Sequence, residues 1–554
     1  MKHTAIGTVL FLIVILSGIL RITNIGTNPP SISWDEASIG YNAYSILKTG
    51  RDEHGRVLPV DTFAAFGDYK PPMPVYLTVP FVAIFGLNEL AVRLPSAIAG
   101  TLTVLALYFL VNELLSHSLQ GKKRFTVYGL GDVAYSEAIA ISAAALLSIT
   151  PWHIMLSRAG FEANIALLFI TVGVLWVLAA RHNDRFLYVC WLPFVAGVYT
   201  FNSARYAGPM IAAGSVLFIW NPIRTARKQF VIGVIIAALA LLPIIPHLVS
   251  KQSRLRFDEV SIFTDLNVVL TANARRKYDG NTWWSGILDN RRLSYAHSYL
   301  VHFFDNVEPR FLFMRGDGNP KFSIQDTGEL LLVSAPFVAY GILRLFQDAP
   351  GVAWFLVWWL AVSIAPAAVA RETPHALRVE NGLPVYMIVT AYGFVMSLVT
   401  IHKRRLQAIL LLIFSLLFAF NFAYFWHNLT SHYPTEFSGE WQYGYKQAIQ
   451  YVDTVKNNYD TVVLTESIGR PYIYVLFYDR VDPKVFWAQK DASFDAAGFY
   501  NVYGFGKYRF VNDSIGEPRG RTLYILDPQR VPTSAHVLKT IRVLNGAPVL
   551  VIFD

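Results

Sequence analysis

The chain has 554 residues, of which 54% are hydrophobic and only 15% charged, against about 25% charged in a typical soluble globular protein. That balance excludes an ordinary soluble enzyme and makes a lipid bilayer the main solvent of the chain. The formal net charge of +9 does not point to nucleic acid, because Lys and Arg fall largely in short clusters between apolar segments, the pattern that orients membrane proteins.

The first apolar run, 5–20, follows Lys2 and His3 and is closed at once by Arg21, with no clear small-residue cleavage pattern after it. It reads as an uncleaved first span. Further spans are predicted at 94–115, 137–156, 163–180, 186–200, 206–220, 230–249, 330–346, 352–370, 383–400 and 406–424, about eleven helices in all by hydropathy and length. The apolar segment 75–87 is short for a crossing and is placed as a re-entrant or interfacial helix in a large first outer loop.

The basic clusters Lys122-Lys123-Arg124, Arg181 with Arg185, Arg224 with Arg227 and Lys228, Arg344, and Lys403-Arg404-Arg405 then occupy alternate loops on one side. Positive-inside makes that side cytoplasmic. The N-terminus is accordingly expected in the cytoplasm and the C-terminus outside the plasma (inner) membrane. After residue 425 the composition changes, with a helix-like stretch at 444–455 and strand-like runs at 461–465, 523–526 and 549–553. The fold expected is mainly α: a polytopic membrane domain over 1–425 and a small extracytoplasmic α/β domain over 426–554. Cys190 is the single cysteine, so an intrachain disulfide and a cysteine metal cluster are both excluded.

Chemistry is to be sought in the outer loops. Asp35 and Glu36 are adjacent carboxylates soon after the first span, near lipid, where ionised groups are costly to leave idle. One is suited to act as general base on an acceptor hydroxyl while its neighbour positions a group or a metal ion; equally, the pair is suited to capping the helix that follows. Asp68 and Lys70 precede the rigid Pro71-Pro72 turn, and Lys70 is either a phosphate clamp or a snorkelling interfacial lysine. Arg158 and Glu162 stand four apart at a helix boundary, a spacing that also suits a plain salt bridge. Asn202, Ser203 and Arg205 follow the fifth span, and Arg371, Glu372, His375, Arg378 and Glu380 the ninth. These arginines suit a lipid phosphate or headgroup anchoring. His375 has no second histidine at ligand spacing, so zinc is not indicated.

Taken in order, Trp34-Asp35-Glu36, Tyr69-Lys70-Pro71-Pro72, Arg93-Leu94-Pro95-Ser96, and Ser157-Arg158 with Glu162 resemble the GT-C membrane glycosyltransferases, in the bacterial branch similar to protein O-mannosyltransferases and lipid A aminoarabinose transferases. The resemblance covers the first half well, the later spans only in pattern and the tail hardly at all. It implies a polyprenyl-phosphate sugar donor, an acceptor hydroxyl on a protein, lipid or glycan, transfer on the extracytoplasmic face and inversion at the anomeric carbon. Asp35 would be the base and Glu36 its supporting acid, with Asp68, Lys70, Arg158, Glu162, Arg205, His375 and Arg378 about the substrates. Metal use differs within the family; Mg²⁺ or Mn²⁺ would suit these carboxylates better than zinc. Two other functions fit a chain of many spans: a transporter or flippase for lipid-linked sugars, and an inactive scaffold in polysaccharide assembly. Against the first, no internal repeat is visible and the charges concentrate in loops; against the second, Asp35 and Lys70 are both present.

Overall fold

The computed structural model describes residues 2–119, 125–127, 131–495, 499–512 and 520–554; the basic cluster Lys122-Lys123-Arg124 lies outside them. Among the described residues, seven helices are long and apolar enough to cross a membrane: Ala5–Ile22, Glu89–Ser118, Glu162–Ala179, Arg227–Leu248, Pro350–Val369, Ala376–Val399 and Arg404–Phe437. An eighth candidate is bent by 54° between Tyr135–Ile149 and Pro151–Arg158, at a proline that cannot carry the helical hydrogen-bond ladder through.

The other three predicted spans are short or broken. Residues 186–200 divide into a 3-10 turn, Asp184–Tyr188, and a short helix, Leu192–Val198, that restarts at Pro193. Residues 206–220 divide among Ala204–Ser215, Val216–Ile219 and Trp220–Thr225. Residues 330–346 become Leu332–Ser334 followed by Ala335–Asp348. The helix Met73–Phe85 is apolar but has only 13 residues, about 20 Å at 1.5 Å per residue, too short to cross some 30 Å of hydrocarbon.

The chain divides into two compact units. One comprises Met1–Leu20, Ala99–Leu156 and Glu162–Phe425; the other comprises Arg21–Ile98, Ser157–Phe161 and Trp426–Asp554. The first unit is the helical bundle. A close backbone approach within it joins Ala335–Asp348 to Leu383–Val399: a Cβ on Gly341 would lie 2.0 Å from the Val389 carbonyl oxygen, and one on Gly393 2.0 Å from that of Phe337. Small residues permit such crossings, which helices in lipid use in place of a hydrophobic driving force.

The second unit combines the first loop with the tail. Its seven-stranded sheet runs in the order Val537–Arg542, Pro548–Phe553, Thr522–Leu526, Thr461–Thr465, Tyr508–Val511, Tyr500–Phe505, Asp491–Phe494. Thr461–Thr465 is parallel to both its neighbours, and the remaining pairs are antiparallel. Alternation along the strands divides two cores: Val462 and Leu464 face Ile449, Ile473 and Phe477, whereas Val463 faces Tyr524 and Val551. The larger core also contains Ala37, Ile39 and Tyr41 from the helix Trp34–Thr49, with Phe63, Val75 and Val82. Hydrogen bonds reinforce this union: Tyr41 donates to the Val481 carbonyl at 3.1 Å, Tyr474 to that of Ile32 at 3.2 Å, and the Trp487 indole to that of Glu53 at 2.9 Å. The loop and the tail thus share one core.

Candidate active site

The helix Trp34–Thr49 begins with a reciprocal cap. The Ser33 hydroxyl accepts from the Glu36 amide at 3.3 Å, and Glu36 Oε2 accepts from the Ser33 amide at 2.9 Å, which satisfies two otherwise orphaned donors. Glu36 is fully buried, and its Oε1 accepts from Arg93 Nε at 2.8 Å and from the Gly160 amide at 2.9 Å. A Cβ on Gly160 would stand 3.2 Å from Glu36 Cγ and 3.2 Å from a Val92 methyl. The other Arg93 donors go to the carbonyls of Ile25 at 2.8 Å, Pro29 at 2.9 Å and Ser31. Arg158, also buried, donates to the carbonyls of Thr23 and Asn28, both at 2.9 Å, with its guanidinium 5.7 Å from the Trp426 ring centre.

Two buried guanidiniums therefore hold the segment between residues 23 and 31, and Glu36 balances one of them. This is the capping alternative for Glu36, extended into a buried network that positions its neighbour. Arg158 likewise braces this segment through its carbonyls.

Asp35 is placed differently. Its side chain is 37% exposed, and Oδ1 lies 3.1 Å from Lys70 Nζ, which also lies 3.3 Å from Asp68 Oδ2. Lys70 and Asp68 are two apart on one strand, Asp68–Lys70, and so share a face. That strand pairs with Phe63–Ala65 through a two-residue turn, Phe66-Gly67, in which both residues have positive φ, 59° and 96°, the geometry favoured in tight hairpins. Gly67 is required there twice over: a Cβ would lie 2.6 Å from the Phe499 ring and 2.9 Å from its Cα. The hairpin delivers an ammonium to the first turn of the Trp34–Thr49 helix, leaving Asp35 as the accessible member of the acidic pair.

The remaining predicted residues belong to the helical unit. Glu162 opens Glu162–Ala179, where a carboxylate complements the helix dipole. The Arg205 guanidinium reaches the Val198 carbonyl at 3.5 Å. Arg378 donates to the Glu372 carbonyl at 3.1 Å, and its own carbonyl accepts from the Ser203 hydroxyl at 2.8 Å. His375 is buried against Phe322, with Nδ1 3.7 Å from Asp317 Oδ2.

Sequence reasoning missed Asp317 and Glu329. Asp317 accepts from the Ala376 amide at 2.6 Å and the Asn319 amide at 2.8 Å, while Glu329 accepts from the Asp317 amide at 2.8 Å. The pair fastens the end of the long 250–329 loop to the segment carrying His375. Burial pushes Asp317 up to about 6 despite those two amides, and it pushes Glu329 well above the usual carboxylate range, helped by the charge of Asp317.

A carboxyl whose folded value is raised adds stability that is full below the ordinary carboxylate range and lost as pH rises through the folded value. The helical unit is therefore expected to lose stability as pH rises toward and through about 6, by up to about 1.4 kcal/mol per pH unit for each such carboxyl. Thermal unfolding at successive pH values checks this; a midpoint unchanged across that interval, or an Asp317→Asn variant with the same slope as the parent, contradicts it.

Among the described residues no group of three or more His, Cys, Asp or Glu stands close enough to hold a metal, and the carboxylates of Asp35 and Asp68 share the Lys70 ammonium instead. Lys70 is the cation beside these acidic residues.

In the family comparison, the profile of the dolichyl-phosphate-mannose-protein mannosyltransferases matches residues 69–120, from the Lys70 strand through the helix that carries Arg93. Among solved structures the chain is similar to ArnT from Cupriavidus metallidurans in the apo state, with TM-score 0.53 and 12% identity over 99% of this chain and 98% of that one. The chain shares the ArnT fold. A second structure of ArnT, bound to undecaprenyl phosphate, matches with TM-score 0.54 and 11% identity over 98% and 97% of the two chains. The apo oligosaccharyltransferase of Archaeoglobus fulgidus matches at TM-score 0.50 and 14% identity, over 86% of this chain and 64% of that one. No curated protein sequence matches. The protein is thus an integral membrane protein of ArnT-like architecture.

Proposed function

We propose that the protein is a GT-C type glycosyltransferase that moves a sugar from a polyprenyl-phosphate donor to an acceptor hydroxyl at the extracytoplasmic membrane face, with inversion. The observation that carries this proposal is the accessible Asp35 carboxylate, 3.1 Å from Lys70 and set at the start of a helix by a buried Glu36–Arg93 network. The undecaprenyl phosphate bound by ArnT supports the donor class, and the alternation of basic clusters along the sequence supports the sidedness.

In this mechanism Asp35 accepts the proton of the acceptor hydroxyl as its oxygen bonds to the anomeric carbon. The bond from that carbon to the phosphate oxygen breaks on the opposite side, and the electron pair leaves with the polyprenyl phosphate. Lys70 supplies positive charge where the departing phosphate gains negative charge, and Asp68 holds the ammonium in place. From the family resemblance, Arg205, Arg378, Glu162 and His375 are proposed as substrate-binding residues. Glu36 and Arg158 act as positioning residues.

Lys70→Ala is expected to weaken polyprenyl-phosphate binding about 10- to 100-fold, the range for one charge-assisted hydrogen bond, with a smaller effect on acceptor affinity. Binding of a fluorescent polyprenyl phosphate to the purified protein in nanodiscs measures the first. Unchanged donor affinity in the variant would mean that Lys70 is only an interfacial anchor.

A further inference from the structure

The segment between the helices Arg227–Leu248 and Ala335–Asp348 contains two longer helices, Leu266–Tyr278 and Arg291–Asp305, joined through the short helix Ser285–Leu288. None of it takes part in the proposed chemistry. One side of Arg291–Asp305 is seated on the helical unit: Tyr299 donates to the Ala365 carbonyl at 3.3 Å, and the His302 ring meets that of Ala370 at 2.8 Å. The other side carries Leu293, Leu300 and Phe304, at helical spacing and all exposed. The connection adds Trp283, Trp284, Ile287 and Leu288, and the preceding helix adds Leu266, Leu270 and Tyr278. Trp283 is 81% exposed and Tyr278 93%. A continuous run of this kind is too apolar to face water, and its helices are too short to span a bilayer.

Charge identifies what covers it. Arg275, Arg276 and Lys277 close the first helix, and Arg291 and Arg292 open the second; all five are exposed and bracket the tryptophan turn. Between residues 275 and 292 they are opposed only by Asp279 and Asp289. The first trio complements the negative end of its helix, but two arginines in a first turn oppose the positive end of theirs. External anions would offset that repulsion. Exposed tryptophans and leucines flanked by arginine are the composition of a helix lying in the bilayer interface.

We propose that residues 266–304 form an interfacial hairpin that inserts its Trp283–Leu288 turn among the lipids and binds anionic headgroups through Arg275, Arg276, Lys277, Arg291 and Arg292. The hairpin would anchor the long loop to the membrane from which a lipid-linked substrate arrives. The proposal rests on the membrane-protein fold and not on the assignment of Asp35.

The test uses the full chain carrying Ile287→Cys with a spin label, in nanodiscs of phosphatidylcholine alone or with about one third phosphatidylglycerol. Cys190 is buried, so the unsubstituted chain serves as the blank, and Lys484→Cys on the tail is the water-exposed reference. The label at residue 287 is expected to be more accessible to oxygen than to a nickel chelate, and the reference label the reverse. Phosphatidylglycerol is expected to be enriched around the parent chain, with at least a tenfold loss of that preference when the five basic residues are changed to Gln. Nickel access at residue 287 in both lipids would overturn the insertion. Exclusion of both probes would show that protein, a second copy or a partner, covers the face instead. Insertion with no preference for phosphatidylglycerol, or with the preference kept in the five-residue variant, would overturn the headgroup assignment.

Discussion

Asp35→Asn is expected to reduce sugar transfer by about 10²-fold or more, the contribution of a positioned general base, while the protein remains folded and still binds its donor. The substitution is nearly isosteric. It removes one partner of a partly exposed ion pair with Lys70, and such pairs contribute about 0–1 kcal/mol to stability. Lys70 keeps Asp68 at 3.3 Å, so the ammonium retains a carboxylate partner. The control is Asp68→Asn, which leaves the base in place and is expected to cost much less than Asp35→Asn in a turnover assay. Equal losses in the two variants would mean that the acidic residues act together on the lysine and that neither is the base.

Glu36→Ala is expected to act on the fold, destabilising the protein by about 3–5 kcal/mol, as when one member of a buried ion pair is removed. The loss leaves the Arg93 Nε, the Gly160 amide and the Ser33 amide without the acceptor that each now has. Glu36→Gln keeps the shape and one carbonyl acceptor, and is expected to cost roughly half as much. Thermal unfolding of the purified variants, followed by loss of a monodisperse peak in detergent, separates them. A Glu36→Ala protein with parental stability and no transfer would return Glu36 to the chemistry and contradict the positioning role.

Much of the helical unit was legible because a span announces itself locally, through twenty or so apolar residues, and needs no partner to be recognised. The breaks within 186–200 and 206–220 were less so: hydropathy is indifferent to a helix that stops and restarts at Pro193, since both pieces are equally apolar. In the tail, the predicted strands at 461–465, 523–526 and 549–553 fall on observed strands, each a dense apolar run. Those at Asp491–Phe494 and Val537–Arg542 are edge strands with mostly exposed residues, and their composition carries little signal.

The union of the first loop with the tail was not legible at all. It is made by contacts such as that of Tyr41 with Val481, across hundreds of residues, and local periodicity contains no trace of them. The same holds for the site. Asp35, Glu36 and Lys70 were recognisable as chemically apt residues, but the sequence makes Asp35 and Glu36 look alike. Only the fold shows that one is buried against Arg93 while the other faces outward beside Lys70. Arg93 was visible only as part of a resembling string. Asp317 and Glu329, twelve residues apart in an unremarkable loop, offered no local sign of their pairing.

Transfer of a labelled sugar from a polyprenyl-phosphate donor by the purified protein in nanodiscs, run beside Asp35→Asn with donor binding measured on both, decides whether Asp35 is the base. The mechanism predicts transfer by the parent, loss of transfer in the variant and similar donor affinity in the two. Transfer by Asp35→Asn at the parental rate, with binding intact, would contradict it.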